Sequence, residues 1–294
     1  MPLKDWLLAL TVVCLWGLNF IAVKVAVQTV PPFLLTAIRF ALVAVVLAPL
    51  YRPTRSQWKG ILGVGAVLGV GHFGLMFVGV SGMDAASAAI ITQLGVPFSA
   101  LLAWLFFGEP LGLGRGFGLV LAFSGVALLA GEPSLPSIVP VLILVAAMLA
   151  WAASNVQVKK LGDINPLALN GWMAVCAAPM LALLSLATET GHAELPMRMM
   201  ADWRPWAGIA YTVIASSLVA YTLWYGLLRR HPMNRVVPVT LLGPVIAVAG
   251  GVLVLGEALT WQKVVGGAIT IIGVAVVQFL GGNHQPPAEP EPGT

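Results

Sequence analysis

Residues 6–27 read WLLALTVVCLWGLNFIAVKVAV, an apolar run in which Lys24 is the only charged side chain. A helix needs about 20 such residues to cross the hydrocarbon core of a bilayer. The run is longer than the roughly 7–15 apolar residues of a signal peptide, and we therefore expect it to remain as a first membrane-spanning helix.

The whole chain has the same apolar character. Hydrophobic residues make up 59% of it and charged residues only 9%, whereas charged residues are about 25% of a typical soluble domain. Because so few charges cannot cover the surface of a soluble protein of this length, the bilayer must be its main solvent. We predict an all-α integral membrane protein with ten transmembrane helices, of which the fifth is the shortest. The predicted spans are 6–27, 32–50, 59–80, 85–107, 115–131, 138–158, 166–188, 206–228, 235–255 and 263–281.

The Lys and Arg side chains between these spans predict the orientation. With a cytoplasmic N-terminus, ten of them lie on the inner side of the membrane and three on the outer side. Cytoplasmic loops carry the excess of basic residues in membrane proteins. We therefore predict a multi-pass protein of the inner (plasma) membrane with both termini in the cytoplasm. The polar residues 283–294, rich in Pro and Glu, are predicted to form a disordered C-terminal tail.

The sequence of the first half recurs in the second. Trp16 recurs as Trp151, and Glu109 recurs as Glu257. Each half holds five predicted helices, and because five is odd the second half enters the membrane from the opposite face. Such an inverted repeat can open to either side of the membrane, with a substrate site near the midplane between the halves. The predicted domains are a first five-helix repeat, 1–131, and a second, inverted one, 132–282.

Short motifs follow the same order in both halves. They are Trp16-Gly17-Leu18-Asn19-Phe20 with Lys24, then Arg39-Phe40, Pro97 and Gly108-Glu109-Pro110-Leu111, and in the second half Pro244 and Gly256-Glu257-Ala258-Leu259. Over about residues 5–281, this pattern resembles the EamA type of the drug/metabolite transporter superfamily. The resemblance implies ten helices, cytoplasmic termini and outward transport of amino acids, aromatic and others, or related metabolites. Ala174 stands where the second half would repeat Arg39, so Arg39 acts in one half only.

Polar and aromatic side chains within the spans are the candidates for substrate binding. Trp16 and Asn19 are three residues apart, and Trp151 and Asn155 are four apart, so each pair places an indole and an amide on one helix face. His72 can both donate and accept hydrogen bonds, although packing and helix–helix hydrogen bonds would also explain these side chains. The predicted substrate-binding residues are Trp16, Asn19, His72, Met76, Gln93, Trp151, Asn155, Trp172, Tyr221 and Tyr225.

Two basic side chains and two prolines within the spans complete the predicted site. Arg39 or Lys24 could hold a substrate carboxylate or act in gating. Either could instead extend along its helix and reach the membrane interface. Pro97 and Pro244 each remove a helix hydrogen bond, and we predict them to act as hinges.

The residue types in the spans argue against most other functions. No Asp or Glu lies in the middle of a predicted span, and no paired acids, His–Cys cluster or phosphate-binding loop is found there. We therefore expect no catalytic residue, metal, cofactor or nucleic-acid partner. The expected function is export of aromatic and other apolar or neutral amino acids and related metabolites by alternating access, either uncoupled or weakly proton-linked through His72. Export of drugs, quaternary amines or nucleotide sugars is the alternative, an integral-membrane enzyme is a remote one, and monomer and homodimer both remain open.

Overall fold

The computed structural model describes residues 1–132, 137–162 and 164–280, and within them the regular secondary structure is entirely helical. The predicted tail, 283–294, lies outside the described residues. Short helices, Leu195–Ala201 and Met233–Val236, precede the eighth and ninth long helices. The ten long helices are α1 (Leu3–Ala26), α2 (Pro32–Leu47), α3 (Arg55–Ser81), α4 (Ala85–Phe107), α5 (Gly112–Ala130), α6 (Val139–Leu161), α7 (Pro166–Thr188), α8 (Arg204–Arg230), α9 (Val237–Leu255) and α10 (Trp261–Phe279).

Nine of these helices, counted within the described ranges, are long and apolar enough to cross a bilayer, and α2 is the shorter exception. α2 has 16 residues, which at the usual rise is about 24 Å. It ends early because Pro49 has no backbone N–H with which to continue the helical hydrogen bonds. The prediction that the fifth span is the shortest is wrong, since α5 runs for 19 residues. α5 begins at Gly112, before Arg115. Arg115 fits within the first turn because its long basic side chain can still reach the interface.

Two pairs of helices that the repeat predicts to be equivalent pack against each other. In the first pair, Gly118 and Gly125 of α5 lie against Gly273 and Gly266 of α10, so the two helices are antiparallel. A Cβ atom on Gly125 would lie 2.6 Å from the carbonyl oxygen of Gly266. Glycine is therefore required where the two backbones touch. The second pair is α2 and α7.

The other helices surround these pairs. α1 packs on α8 and α9, and α6 packs on α3 and α4. The repeat predicts that α1, α8 and α9 correspond to α6, α3 and α4, so the two sets of contacts are equivalent. The main core is formed by buried apolar side chains from both halves, among them Phe40, Phe77, Leu144 and Leu181.

The loops divide between the two ends of the helix bundle. We define the Lys24 face as the end where α1, α3, α5, α7 and α9 finish, and the Lys159 face as the opposite end. On the Lys24 face, Lys24 Nζ donates a hydrogen bond to the carbonyl oxygen of Met83, just beyond α3, at 2.6 Å. On the Lys159 face, Lys159 Nζ pairs with Glu109 Oε1, just beyond α4, at 3.0 Å. These contacts show that α1 and α3 finish on the same face, as do α4 and α6.

Helices α4 and α9 are interrupted at matching positions. A 3-10 turn at Thr92–Leu94 precedes Pro97 in α4, and a 3-10 segment at Val237–Leu242 precedes Pro244 in α9. Both prolines are buried. Because proline lacks the N–H that an α-helix would bond to the carbonyl four residues back, each ring loosens the turn before it.

Candidate functional site

Arg39, in the middle of α2, is the most unusual side chain of the bundle. Arg39 is only 2% exposed, so its side chain does not extend to either membrane interface. Its Nε donates a hydrogen bond to Ser217 Oγ at 2.9 Å, and its guanidinium carbon lies 4.9 Å from the centre of the Phe73 ring. Within the described residues, Nη1 has no hydrogen-bond partner and no carboxylate pairs with the guanidinium. A buried cation with a free donor therefore lies against aromatic rings.

A π-helical segment of α8, Tyr211–Val219, holds the partners of Arg39 and of Trp16. Ser217 Oγ donates to the carbonyl oxygen of Thr212 at 2.7 Å while it accepts from Arg39. The neighbouring carbonyl of Ser216 accepts from Trp16 Nε1 at 3.4 Å. Such segments widen the helix and often occur at functional sites. Sequence reasoning missed both serines, although two adjacent hydroxyls within an apolar span were a usable signal.

The matching part of α3, Gly65–Gly74, is also π-helical and carries His72. His72 is 7% exposed, and its Nδ1 lies 3.1 Å from the carbonyl oxygen of Ala147 on α6. Because a carbonyl oxygen can only accept, Nδ1 must be the protonated nitrogen. The ring also contacts Phe73, with 4.5 Å between centroids, and Met76 is buried one turn further on. His72 thus joins α3 to α6 beside the rings that contact Arg39.

Aromatic side chains of α1 and α8 form a continuous wall. The centroid of the Trp16 ring lies 5.4 Å from that of Tyr221 and 5.2 Å from that of Trp224, both in edge-to-face geometry. Tyr221 and Tyr225 are 5.9 Å apart and share a helix face, as the sequence spacing indicates. Because Trp16 bonds to Ser216, this wall adjoins the serine that binds Arg39.

The remaining candidates are distributed more widely. Asn19 is buried, and its Oδ1 lacks a hydrogen-bond partner among the described residues. Trp151 packs closely against Gly95 of α4, next to the 3-10 turn that contains Gln93. Asn155 is exposed and donates from Nδ2 to Ser99 Oγ at 3.1 Å.

Trp172 is not part of this cluster. It lies toward the Lys159 face, where its ring is 4.8 Å from that of Trp58. Its Nε1 donates to the carbonyl oxygen of Tyr51 at 2.5 Å, beyond the end of α2. The structure therefore places Trp172 in a different environment from Trp16 and Tyr221.

The sequence profile of the EamA-like transporter family matches residues 4–131 and again residues 138–279. The chain belongs to this family. It is therefore a multi-pass membrane transporter, and the family and its relatives imply a small-molecule substrate handled within a lipid bilayer.

Several curated proteins are similar to this EamA-like transporter over nearly their whole length. It is 30% identical to a "Probable amino-acid metabolite efflux pump" of Salmonella typhimurium and 29% identical to the protein of the same name in Escherichia coli, in each case over 95% of this chain and 96% of the relative. An "Uncharacterized transporter" of Archaeoglobus fulgidus is 25% identical over 94% of this chain and 99% of its own. A solved crystal structure has the same fold, with a TM-score of 0.63 at 21% identity, covering 95% of this chain and 97% of the other.

Lys24, a predicted gating residue, binds the carbonyl groups at the end of α3. Its Nζ donates to the carbonyl oxygens of Val80, Ser81 and Met83, which end α3. Nearby, the Glu257 carboxylate accepts from the backbone N–H groups of Ala85, at 2.6 Å, and Ala86, at 3.0 Å, and so caps the start of α4. The α9–α10 loop is thereby held against the first half of the chain.

A buried ionic cluster, which we call the Lys263 cluster, lies on the same face and comprises Lys263, Asp84 and Glu132. Lys263 Nζ is 3.3 Å from Glu132 Oε1 and 3.4 Å from Asp84 Oδ2. Glu132 also accepts from Thr260 at 2.8 Å and from Ser87 at 3.2 Å. The Lys263 and Glu132 side chains are only 2% and 0% exposed. Sequence reasoning used Lys263 only to assign topology and did not detect this cluster.

Proposed function

We propose that this transporter exports amino acids with aromatic or other apolar or neutral side chains, and related metabolites, across the inner (plasma) membrane. The observation that carries the proposal is Arg39, a buried guanidinium with an unbonded Nη1 beside aromatic rings. A carboxylate attached to an apolar group is complementary to that combination. The printed names of the Salmonella and Escherichia coli relatives point to the same class of substrate.

In this proposal each group binds a different part of the substrate. Arg39 binds the α-carboxylate through its free Nη1, in a hydrogen bond that the opposite charges strengthen. Asn19 supplies a buried acceptor for the α-ammonium, since its Oδ1 lacks a partner in the described chain. The wall of Trp16 and Tyr221 receives the side chain, because aromatic faces bind both rings and apolar groups.

We further propose that transport uses alternating access between two inverted repeats, 1–131 and 132–282. The antiparallel pairs α5/α10 and α2/α7 support this, as do the π and 3-10 segments at matching positions in both halves. Pro97 and Pro244 then act as hinges between the loosened turns and the rest of α4 and α9. With both termini cytoplasmic, the Lys24 face is external and the Lys159 face is cytoplasmic.

Uptake into proteoliposomes tests the substrate assignment. We expect saturable uptake of radiolabelled Trp, Phe and Met above that of empty liposomes. Excess phenylalanine should compete with labelled tryptophan, whereas tryptamine should not, because it lacks the carboxylate that Arg39 would bind. Uptake of none of these amino acids, together with uptake of quaternary amines or nucleotide sugars, would overturn the assignment.

We propose that efflux follows the substrate gradient, with any proton linkage acting through His72. A pH gradient should then change the initial rate of phenylalanine uptake by less than about twofold. His72→Gln should retain at least roughly half of the wild-type rate, because an amide N–H can replace the donor to Ala147. His72→Ala should lose more, since it removes that link between α3 and α6. A pH-driven stimulation that is absent in His72→Gln would instead establish proton linkage.

A further inference from the structure

The short helix α2 leaves a notch on the Lys159 face. α2 ends at Leu47, whereas its antiparallel partner α7 extends for 23 residues. The chain continues through Pro49 and Pro53 before α3 begins at Arg55. A cavity of about 550 Å³ remains where a further turn of α2 would lie, between α2, α3 and α7.

The walls of this notch are apolar and firmly built. Two indoles, those of Trp58 and Trp172, meet in edge-to-face geometry with 4.8 Å between centroids. The Trp172 ring is fixed by its hydrogen bond to the Tyr51 carbonyl oxygen. Val45 and Val175, which are 72% and 36% exposed, form the side that opens away from the bundle and toward the bilayer. The cavity is therefore distinct from the buried surroundings of Arg39.

Unneutralised positive charge lies at the mouth of the notch. Arg52 lines the cavity and is exposed, and Arg55 and Lys59 follow within the next two turns. Within the described residues, none of the three forms an ion pair with a carboxylate. Paired indoles beside basic side chains are typical of a position at the level of lipid headgroups.

We propose that this notch binds one anionic phospholipid of the cytoplasmic leaflet. Arg52 contacts the phosphate, the glycerol backbone lies against Trp58 and Trp172, and an acyl chain follows Val45 and Val175 into the bilayer. A net negative headgroup is preferred because the ammonium of a zwitterionic lipid would be repelled by the neighbouring basic side chains.

Among the described residues, the equivalent position in the second half has a different arrangement. The equivalent helix α7 is full length and is followed by Glu189, whose carboxylate accepts from the backbone N–H groups of Phe33, at 2.7 Å, and Leu34, at 3.1 Å. At this position an acidic side chain, Glu189, caps the start of α2, whereas the notch is lined by a basic one. The site thus belongs to one face only, the one that we propose to be cytoplasmic, where anionic lipids are attracted by basic residues.

Native mass spectrometry of the purified full-length protein with equimolar phosphatidylglycerol and phosphatidylethanolamine tests this proposal. We expect one tightly retained phosphatidylglycerol, favoured roughly fivefold over phosphatidylethanolamine. Arg52→Gln should lower its occupancy by roughly fivefold, whereas Arg52→Lys should keep about half, because it retains the charge. Trp58→Ala should lower the occupancy by about threefold through lost contact area. Arg229→Gln, at another exposed basic residue of the same face, is the matched control and should change little.

Two results would overturn the proposal. Equal retention of the two lipids would show that the protein carries only ordinary surrounding lipid. Equal phosphatidylglycerol occupancy in Arg52→Gln and Arg229→Gln would show that Arg52 has no specific role. Lipid occupancy is compared only among variants whose melting temperature equals that of the wild type, so that unfolding is not mistaken for a loss of lipid binding. No substrate is present, and the outcome is therefore independent of the proposed amino-acid transport.

Discussion

Arg39→Met is expected to lower the rate of phenylalanine uptake into proteoliposomes by roughly tenfold or more, which corresponds to a loss of about 1.4 kcal/mol or more in binding or transition-state free energy. The substitution keeps the approximate length of the side chain and removes the only guanidinium buried in the described part of the site. Arg39→Lys should also be strongly impaired, because a single ammonium cannot hold Ser217 and a carboxylate in the fixed planar geometry of the guanidinium.

The thermal stability of Arg39→Met distinguishes a binding role from a structural one. A charged side chain at mid-membrane costs about 2.5–3.5 kcal/mol on insertion scales, and this guanidinium has no carboxylate to offset that cost within the described residues. Arg39→Met should therefore melt at the same temperature as the wild type or higher. Phenylalanine should raise the melting temperature of the wild type and leave that of Arg39→Met unchanged.

Two further variants control the Arg39 experiment. Ser217→Ala removes the hydrogen bond to Arg39 Nε but keeps the charge, and it should reduce uptake by less than about threefold. Arg204→Gln changes an arginine that is largely exposed on the Lys24 face, and it should have little effect. Uptake by Arg39→Met with wild-type rate and half-saturation would contradict the assignment of the carboxylate site.

The positions of the helices could be predicted from the sequence because hydrophobic length alone specifies a membrane span. Their ends were less accessible. The apolar run 32–50 continues past the last residue of α2, Leu47, and only Pro49 signals the early end. Conversely, Arg115 looks like a boundary but lies within α5, because a flexible basic side chain can reach water from inside the first turn.

The candidate site could be predicted in composition but not in geometry. Polar and aromatic residues within spans are few, which is why Trp16, His72 and Tyr221 stood out. Periodicity does not reveal how each helix is rotated or which depth each side chain shares with its neighbours. The sequence therefore groups Trp172 with the others, although it lies beside Trp58. Ser217 was overlooked because its importance depends on a π segment and on a partner from a distant helix.

Lys263→Met is expected to weaken the contact between the two halves of the chain on the Lys24 face. It would leave Glu132, a fully buried carboxylate, beside Asp84 without the cation that lies 3.3 Å away. Removing one partner of a buried ion pair typically costs about 3–5 kcal/mol. We expect a clear fall in melting temperature and a drop in phenylalanine uptake by roughly tenfold.

The opposite face offers a matched control. Lys159 and Glu109 also form an ion pair, at 3.0 Å, but their side chains are 56% and 43% exposed. Exposed pairs contribute little because water already solvates both charges. Lys159→Met should therefore change the melting temperature and the uptake rate only slightly, even though it also removes a lysine that pairs with a glutamate.

A double substitution identifies the interaction itself. Lys263→Met combined with Glu132→Gln removes both charges of this buried pair, so the double variant should be more stable than the sum of the two single effects by about 1–3 kcal/mol. The contact between the halves would still be weakened, because position 263 at the start of α10 would no longer be drawn by opposite charge to Asp84 at the start of α4. A cysteine introduced between the Lys24 face and the midplane should then react faster with an external thiol reagent in the double variant than in the wild type. If it does not, or if the single and double variants are equally unstable, the Lys263 cluster is a local feature of the loop and has no part in closing the transporter.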